Sequence, residues 1–72
     1  NLKSIDFLKN LKSLKELELN HNKSISDYTP VSNLLNLEKI YLNECNLKSI
    51  DFLKNLKSLK ELDLSYNKYI SD

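Results

Sequence analysis

Three times along the chain the apolar residues fall into one spacing: Leu14-x-x-Leu17-x-Leu19, Leu37-x-x-Ile40-x-Leu42 and Leu59-x-x-Leu62-x-Leu64. The period of two that ends each block is that of a short strand, with Leu17 and Leu19 turned inward and Glu16, Glu18 and Asn20 outward. Ahead of each block an apolar residue stands at every third position: Leu2, Ile5, Leu8 and Leu11, then Ile25, Tyr28, Val31 and Leu34, then Leu47, Ile50, Leu53 and Leu56. An α-helical face needs mixed threes and fours, so strict threes followed by alternation do not suit one long amphipathic helix through FLKNLKSLKEL. The blocks lie 23 and 22 residues apart, which predicts three coils of chain with their strands in a parallel ladder. A short helix or helical turn is expected opposite each strand. Asp6, Thr29 and Asp51 occupy one equivalent slot there and are all N-cap types, and Pro30 stands at the first helical position that follows.

A longer repeat encloses the short one. Residues 1–27 return as residues 46–72 with 23 of 27 positions identical. The four differences, Glu18/Asp63, Asn20/Ser65, His21/Tyr66 and Ser24/Tyr69, are each one nucleotide change apart, which favours duplication followed by drift. A unit copied this closely is no one-off catalytic cluster, so function is expected in a surface made by stacking copies.

Three residues after the last leucine of each strand block stand Asn22, Cys45 and Asn67. The chain turns here with no glycine anywhere in the sequence, and a buried asparagine amide can satisfy the turn's unpaired backbone donors and acceptors. Asn22 and Asn67 read as this internal brace. Cys45 fills the same slot with a weaker donor, so the middle coil is expected to be braced less well.

The pattern L-x-x-L-x-L-x-x-N/C-x-L, met at all three blocks, resembles that of leucine-rich repeats. The short 22-residue subclass of internalins and SDS22-type phosphatase regulators is the most similar, the run ISDYTPVSNLLNL from Ile25 being particularly internalin-like. The resemblance implies an α/β leucine-rich-repeat solenoid, with short parallel strands on a concave face and short helices or helical turns on a convex one. Its coils would run over about residues 2–24, 25–46 and 47–69 as a single array, expected to be a fragment of a longer one without caps. Internalin likeness implies a bacterial surface or secreted role, and SDS22 likeness a cytoplasmic adaptor. Two departures stand out: the turns Asn22-Lys-Ser-Ile25 and Asn67-Lys-Tyr-Ile70 are one residue longer than Cys45-Asn-Leu47, and no capping segment is recognisable.

Seventy-two residues make one domain at most, and a globule of this size buries only about 60% of its unfolded surface. Eleven lysines, no arginine and ten acids give a net charge of +1, without the basic excess of a nucleic-acid module. No apolar run approaches the roughly 20 residues of a membrane span. The absence of glycine removes the phosphate-cradling motifs, and the single cysteine has no internal disulfide partner.

The outward strand positions form four columns: Glu16, Lys39 and Glu61; Glu18, Tyr41 and Asp63; Asn20, Asn43 and Ser65; His21, Glu44 and Tyr66. Five acids against one lysine give this face about −4, leaving the remainder at +5. Such a strip with Tyr41, Tyr66 and His21 suits a basic or polar segment of another protein. It equally suits a sheet kept soluble, with Lys39 between Glu16 and Glu61 as cross-strand charge pairing places it. Metal binding by His21 finds no second His or Cys at ligand spacing, and the paired Glu16 and Glu18 lack an enclosing site, so no enzyme activity, cofactor or metal is expected. The sequon Asn22-Lys23-Ser24 uses the brace asparagine, and Lys9, Lys12, Lys54 and Lys57 alternate with core residues as a solvated face does. The expected function is a non-catalytic protein-interaction scaffold; the alternative is a module that self-associates head to tail through uncapped ends. Replacing Asn22 by alanine is predicted to lower stability by about 1–3 kcal/mol through unpaired backbone groups, measured as a drop in the denaturant midpoint.

Overall fold

The strict threes are wound as 3-10 turns. In the computed structural model, which describes residues 2–70, the Leu8 N–H donates to the Ile5 carbonyl (3.0 Å), Leu11 to Leu8 (2.9 Å) and Leu14 to Leu11 (3.0 Å). The same staircase runs through Val31, Leu34 and Leu37 at 3.0 Å each and through Leu53, Leu56 and Leu59 at 3.0–3.3 Å. With three residues per turn, side chains at i and i+3 eclipse, so every third residue faces one way. Each apolar residue is thus joined by its backbone to the next apolar residue of the same row. The tightest parts are the 3-10 helices η1 (Asp6–Asn10), η2 (Thr29–Asn33) and η3 (Asp51–Leu53).

Asp6, Thr29 and Asp51 are not N-caps. They are the first residues inside the helices, whose caps are Ile5, Tyr28 and Ile50, without side-chain cap bonds. The polar support comes from two residues further upstream. The Asp6 N–H donates to Ser4 Oγ (3.3 Å), Asp51 to Ser49 Oγ (3.2 Å), and Thr29 to Asp27 Oδ1 (3.0 Å). A tight 3-10 start leaves its first donor within reach of a side chain two residues back, which is why the expected slot is displaced.

Strands β1 (Glu16–Glu18), β2 (Lys39–Tyr41) and β3 (Glu61–Asp63) form one parallel sheet in the order β1-β2-β3. Its register sets Glu16 beside Lys39 beside Glu61, Leu17 beside Ile40 beside Leu62, and Glu18 beside Tyr41 beside Asp63. The helices contact one another in the same sequence, η1 against η2 and η2 against η3. Each coil is therefore one helix and one strand, touching only its neighbours.

The core belongs to the middle coil. Val31, Leu34, Leu37, Ile40 and Leu42 are completely buried, and Tyr28 stacks on Phe52 of the third coil with centroids 5.0 Å apart. The outer coils repeat the same pattern with less burial: Leu2 and Leu11 are exposed, and Leu62 is 49% exposed. These positions face core-ward in pattern, but among the described residues only the middle coil is covered from both sides.

The turn after each strand is made by non-glycine residues in the left-handed region: His21 (φ 68°), Glu44 (55°) and Tyr66 (64°), with Asn46 (57°) in the shorter middle turn. Such residues are disfavoured by roughly 1–2 kcal/mol each. Asn67 offsets this. Its Nδ2 donates to Leu42 O of the middle coil (2.7 Å) and to Leu64 O of its own (2.9 Å), while its Oδ1 accepts from the Cys45 and Leu47 N–H groups (2.9 and 3.1 Å). Left-handed Asn46 brings those two amides to one point, which explains how the middle turn is closed with one residue fewer. Cys45 supplies only the donor half, from Sγ to Leu19 O (3.0 Å). Asn22, read from sequence as buried, is half-buried: its Nδ2 donates to Leu19 O and its Oδ1 accepts from Leu2 N–H, both at 2.9 Å and both within its own coil, where Asn67 reaches into the preceding one. Asn67→Ala is accordingly expected to be more destabilising than Asn22→Ala, by about 1–2 kcal/mol on the scale of unpaired buried groups, in parallel urea titrations.

Candidate functional site

The first two columns lie on the strands of the sheet, and the third and fourth lie in the turns that follow them. In the first column Lys39 Nζ lies 3.6 Å from Glu16 Oε2 and 3.4 Å from Glu61 Oε1. The Glu61 hydrogen bond, then the two glutamate charges, hold its ammonium above the usual lysine value. In the second column the Tyr41 hydroxyl donates to Glu61 Oε2 (2.9 Å), which raises the Tyr41 pKa. Glu61 thus serves two columns at once.

The third column is a second ladder. Asn20 Oδ1 accepts from the Asn43 N–H (2.7 Å), and Asn43 Oδ1 accepts from the Ser65 N–H (2.8 Å). Asn20 Nδ2 reaches Glu18 Oε2 (3.1 Å), and Ser65 Oγ donates to Asp63 Oδ1 (2.6 Å). The Ser65 hydroxyl first, then its amide and the Asn43 side chain, hold the Asp63 carboxyl below the usual aspartate range. Sequence reasoning placed Asn20 and Asn43 only on the binding surface, although an asparagine recurring at the same register one coil apart was visible.

The fourth column lies on the rim. His21 Nδ1 is 2.7 Å from Glu44 Oε1, and Lys23 Nζ is 3.4 Å from Glu44 Oε2. The His21 hydrogen bond, then Lys23, hold the Glu44 carboxyl below the usual range. Lys23 belongs to none of the strand columns, yet it adds a second positive charge to the face; its place two residues after His21, in the longer turn, is what lets it reach. Tyr66 is 83% exposed and is the one large aromatic of the face without a committed hydroxyl among the described residues.

A groove of about 540 Å³ opens elsewhere, between the first and second connecting turns, lined by Ser24, Asp27, Tyr28, Asn46, Ser49 and Phe52 among others. None of the twelve strand-face residues lines it. At its base Tyr28 buries a hydroxyl with no hydrogen-bond partner among the described residues, and burial first, then the neighbouring Cys45 thiol, pushes that hydroxyl well above the usual tyrosine value. Among the described residues no group of three His, Cys, Asp or Glu side chains could hold a metal ion, and no helix is long and apolar enough to cross a membrane.

Comparison with family models decides the architecture: a model described as Leucine Rich repeats (2 copies) matches residues 35–72, and one described as Leucine Rich repeat matches residues 10–27. The chain belongs to the leucine-rich repeat family. Curated proteins and solved structures gave no match. Leucine-rich repeats generally mediate protein–protein interaction and are typically non-catalytic. In this leucine-rich repeat the outward strand face is internally wired, each of its five carboxylates touching a lysine, histidine, hydroxyl or amide of the chain.

The wiring has a pH consequence. Glu44 and Asp63 have folded-state pKa values below their ordinary 4.5 and 3.8, so the native state binds fewer protons than the unfolded one at mildly acid pH. Their contribution is full above those ordinary values and is lost as pH falls through the lowered ones. Urea midpoints measured on acidification below pH 4.5 are expected to fall, and to fall less in Glu44→Gln than in the parent chain.

Proposed function

We propose that the three coils form one leucine-rich-repeat solenoid whose strand face, concave in this reading, is a non-catalytic docking surface for another protein, engaged through a basic or polar segment. The observation that carries it is the exposure of Tyr66 in the rim column of a face whose five carboxylates are held in place by their own partners. A carboxylate already oriented loses little freedom when a lysine or arginine of a partner joins it, and an exposed aromatic supplies area at low conformational cost. Glu18 and Asp63 flank Tyr41 in the register, so the middle of the face offers acids on both sides of an aromatic ring. Self-association through the outer coils is the second reading, favoured by the exposure of Leu62 at the centre of β3.

Selection of a random peptide library on the immobilised chain tests the docking surface. Recovered peptides are expected to be enriched in lysine and arginine. Tyr66→Ala is expected to weaken them about tenfold, on the scale of an aromatic anchor, with Lys9→Ala on the helix side leaving affinity unchanged. Peptides without basic enrichment, or equal losses in both variants, would refute the assignment.

A further inference from the structure

From the end of each 3-10 helix to the following strand the chain runs through residues 9–15, 32–38 and 54–60, and these three segments lie side by side. The Glu38 N–H donates to Lys15 O and the Lys60 N–H to Glu38 O, both at 2.8 Å, and Asn36 Nδ2 donates to Lys12 O at 3.0 Å. The staircase that turns Leu8, Leu11 and Leu14 one way sets Lys9, Lys12 and Lys15 in a row of their own, one residue on. Lys54, Lys57 and Lys60 repeat that row in the third coil, and between the two rows the middle coil carries Ser32, Leu35 and Glu38.

All six lysines are exposed, and among the described residues none has a carboxylate within ion-pair distance. Glu16 and Glu61, which follow Lys15 and Lys60 in sequence, are held on the strand face by Lys39 at 3.6 and 3.4 Å. Six ammonium groups against the single carboxylate of Glu38 leave this flank at +5. The opposite connecting turns have no such excess, since around the groove Lys23 and Lys48 are matched by Asp27 and Asp51. Unneutralised charge is what separates this flank from the ordinary solvated face its lysines suggest in sequence.

An apolar side chain stands in the middle of that charge. Leu35 occupies the slot between Lys12 and Lys57 and is 58% exposed. It belongs to the middle coil, whose Val31, Leu34 and Leu37 are sealed, so its exposure is not that of an end coil. The three segments carry no arginine for bidentate phosphate contacts and no aromatic for base stacking, which does not suit a nucleic acid. A lysine stem can lie along hydrocarbon while its ammonium stays among phosphates. A leucine framed by such lysines matches the boundary between headgroups and acyl chains.

We propose that this flank is a docking surface for an anionic phospholipid membrane, with the two lysine rows facing the headgroups and Leu35 reaching the acyl boundary. The contact is peripheral and uses none of the twelve strand-face residues.

Co-sedimentation of the full chain with vesicles tests it, comparing phosphatidylcholine alone with phosphatidylcholine containing about a third phosphatidylserine. Binding is expected only to the anionic vesicles. Each lysine near such a surface is worth about fivefold, so Lys12→Gln with Lys57→Gln is expected to weaken partitioning at least about tenfold. Lys3→Gln with Lys48→Gln removes the same charge from one slot of the opposite turns. The chain measures 29 × 23 × 16 Å, and charges on opposite flanks lie further apart than the ~8 Å screening length at physiological salt, so this pair is expected to cost less than about threefold. Leu35→Ser is expected to cost about fivefold. All five side chains are exposed, and unchanged urea midpoints show that the variants fold. Equal binding to neutral vesicles, equal losses from the two lysine pairs, no loss from Leu35→Ser, or equally tight binding to single-stranded DNA would overturn the proposal.

Discussion

Closing a sharp turn after every strand without glycine is the constraint around which this structure is arranged. Three residues are held left-handed at the end of the strands, against their own preference, and a fourth joins them where the turn is shortest. What holds them is a side chain from the next coil or their own, placed to gather the amides and carbonyls the turn leaves unpaired. Asn67 does this for the middle turn with both ends of its amide. The covalent turn of one coil is thus stabilised by the stacking of another, and local and long-range order become the same event.

The rest of the architecture follows from coils that touch only their neighbours. A residue in the middle coil is covered twice, and five of its aliphatic side chains are sealed from water. The same pattern one coil away is covered once and leaves Leu2, Leu11 and Leu62 partly in solvent. Stability in such an array is close to a sum of coil and interface terms, so each interface adds a term of its own. The two ladders of asparagine oxygen atoms, one inside at Asn67 and one outside at Asn20 and Asn43, run along those interfaces.

Much of this was legible in the chain. The period of two located all three strands and their register, because a strand must alternate, and the repeated slot of Asp6, Thr29 and Asp51 placed a short helix or helical turn opposite each strand, which the structure winds as 3-10. Three things were not legible. The helix caps moved, since a 3-10 start draws its support from two residues upstream and short motifs do not separate an N-cap from a first helical residue. The exposure of Leu62 and the half-burial of Asn22 depend on which neighbour is present, a property no single repeat encodes. Lys23 joined the outward face because the longer turn swings it over Glu44, which column counting along strands passes by.

The rim column carries a consequence for how this surface can change. An imidazole, a carboxylate and a phenol, at His21, Glu44 and Tyr66, share one left-handed conformation. Three such different groups have no common preference for it, so the conformation comes from the frame and not from the residue. A position whose backbone is dictated from outside is free to exchange its side chain while keeping its direction and its spacing from the next coil. The rim is in that sense a rack of interchangeable groups at fixed pitch. New recognition chemistry can be installed there one residue at a time, without redesigning the coil that carries it.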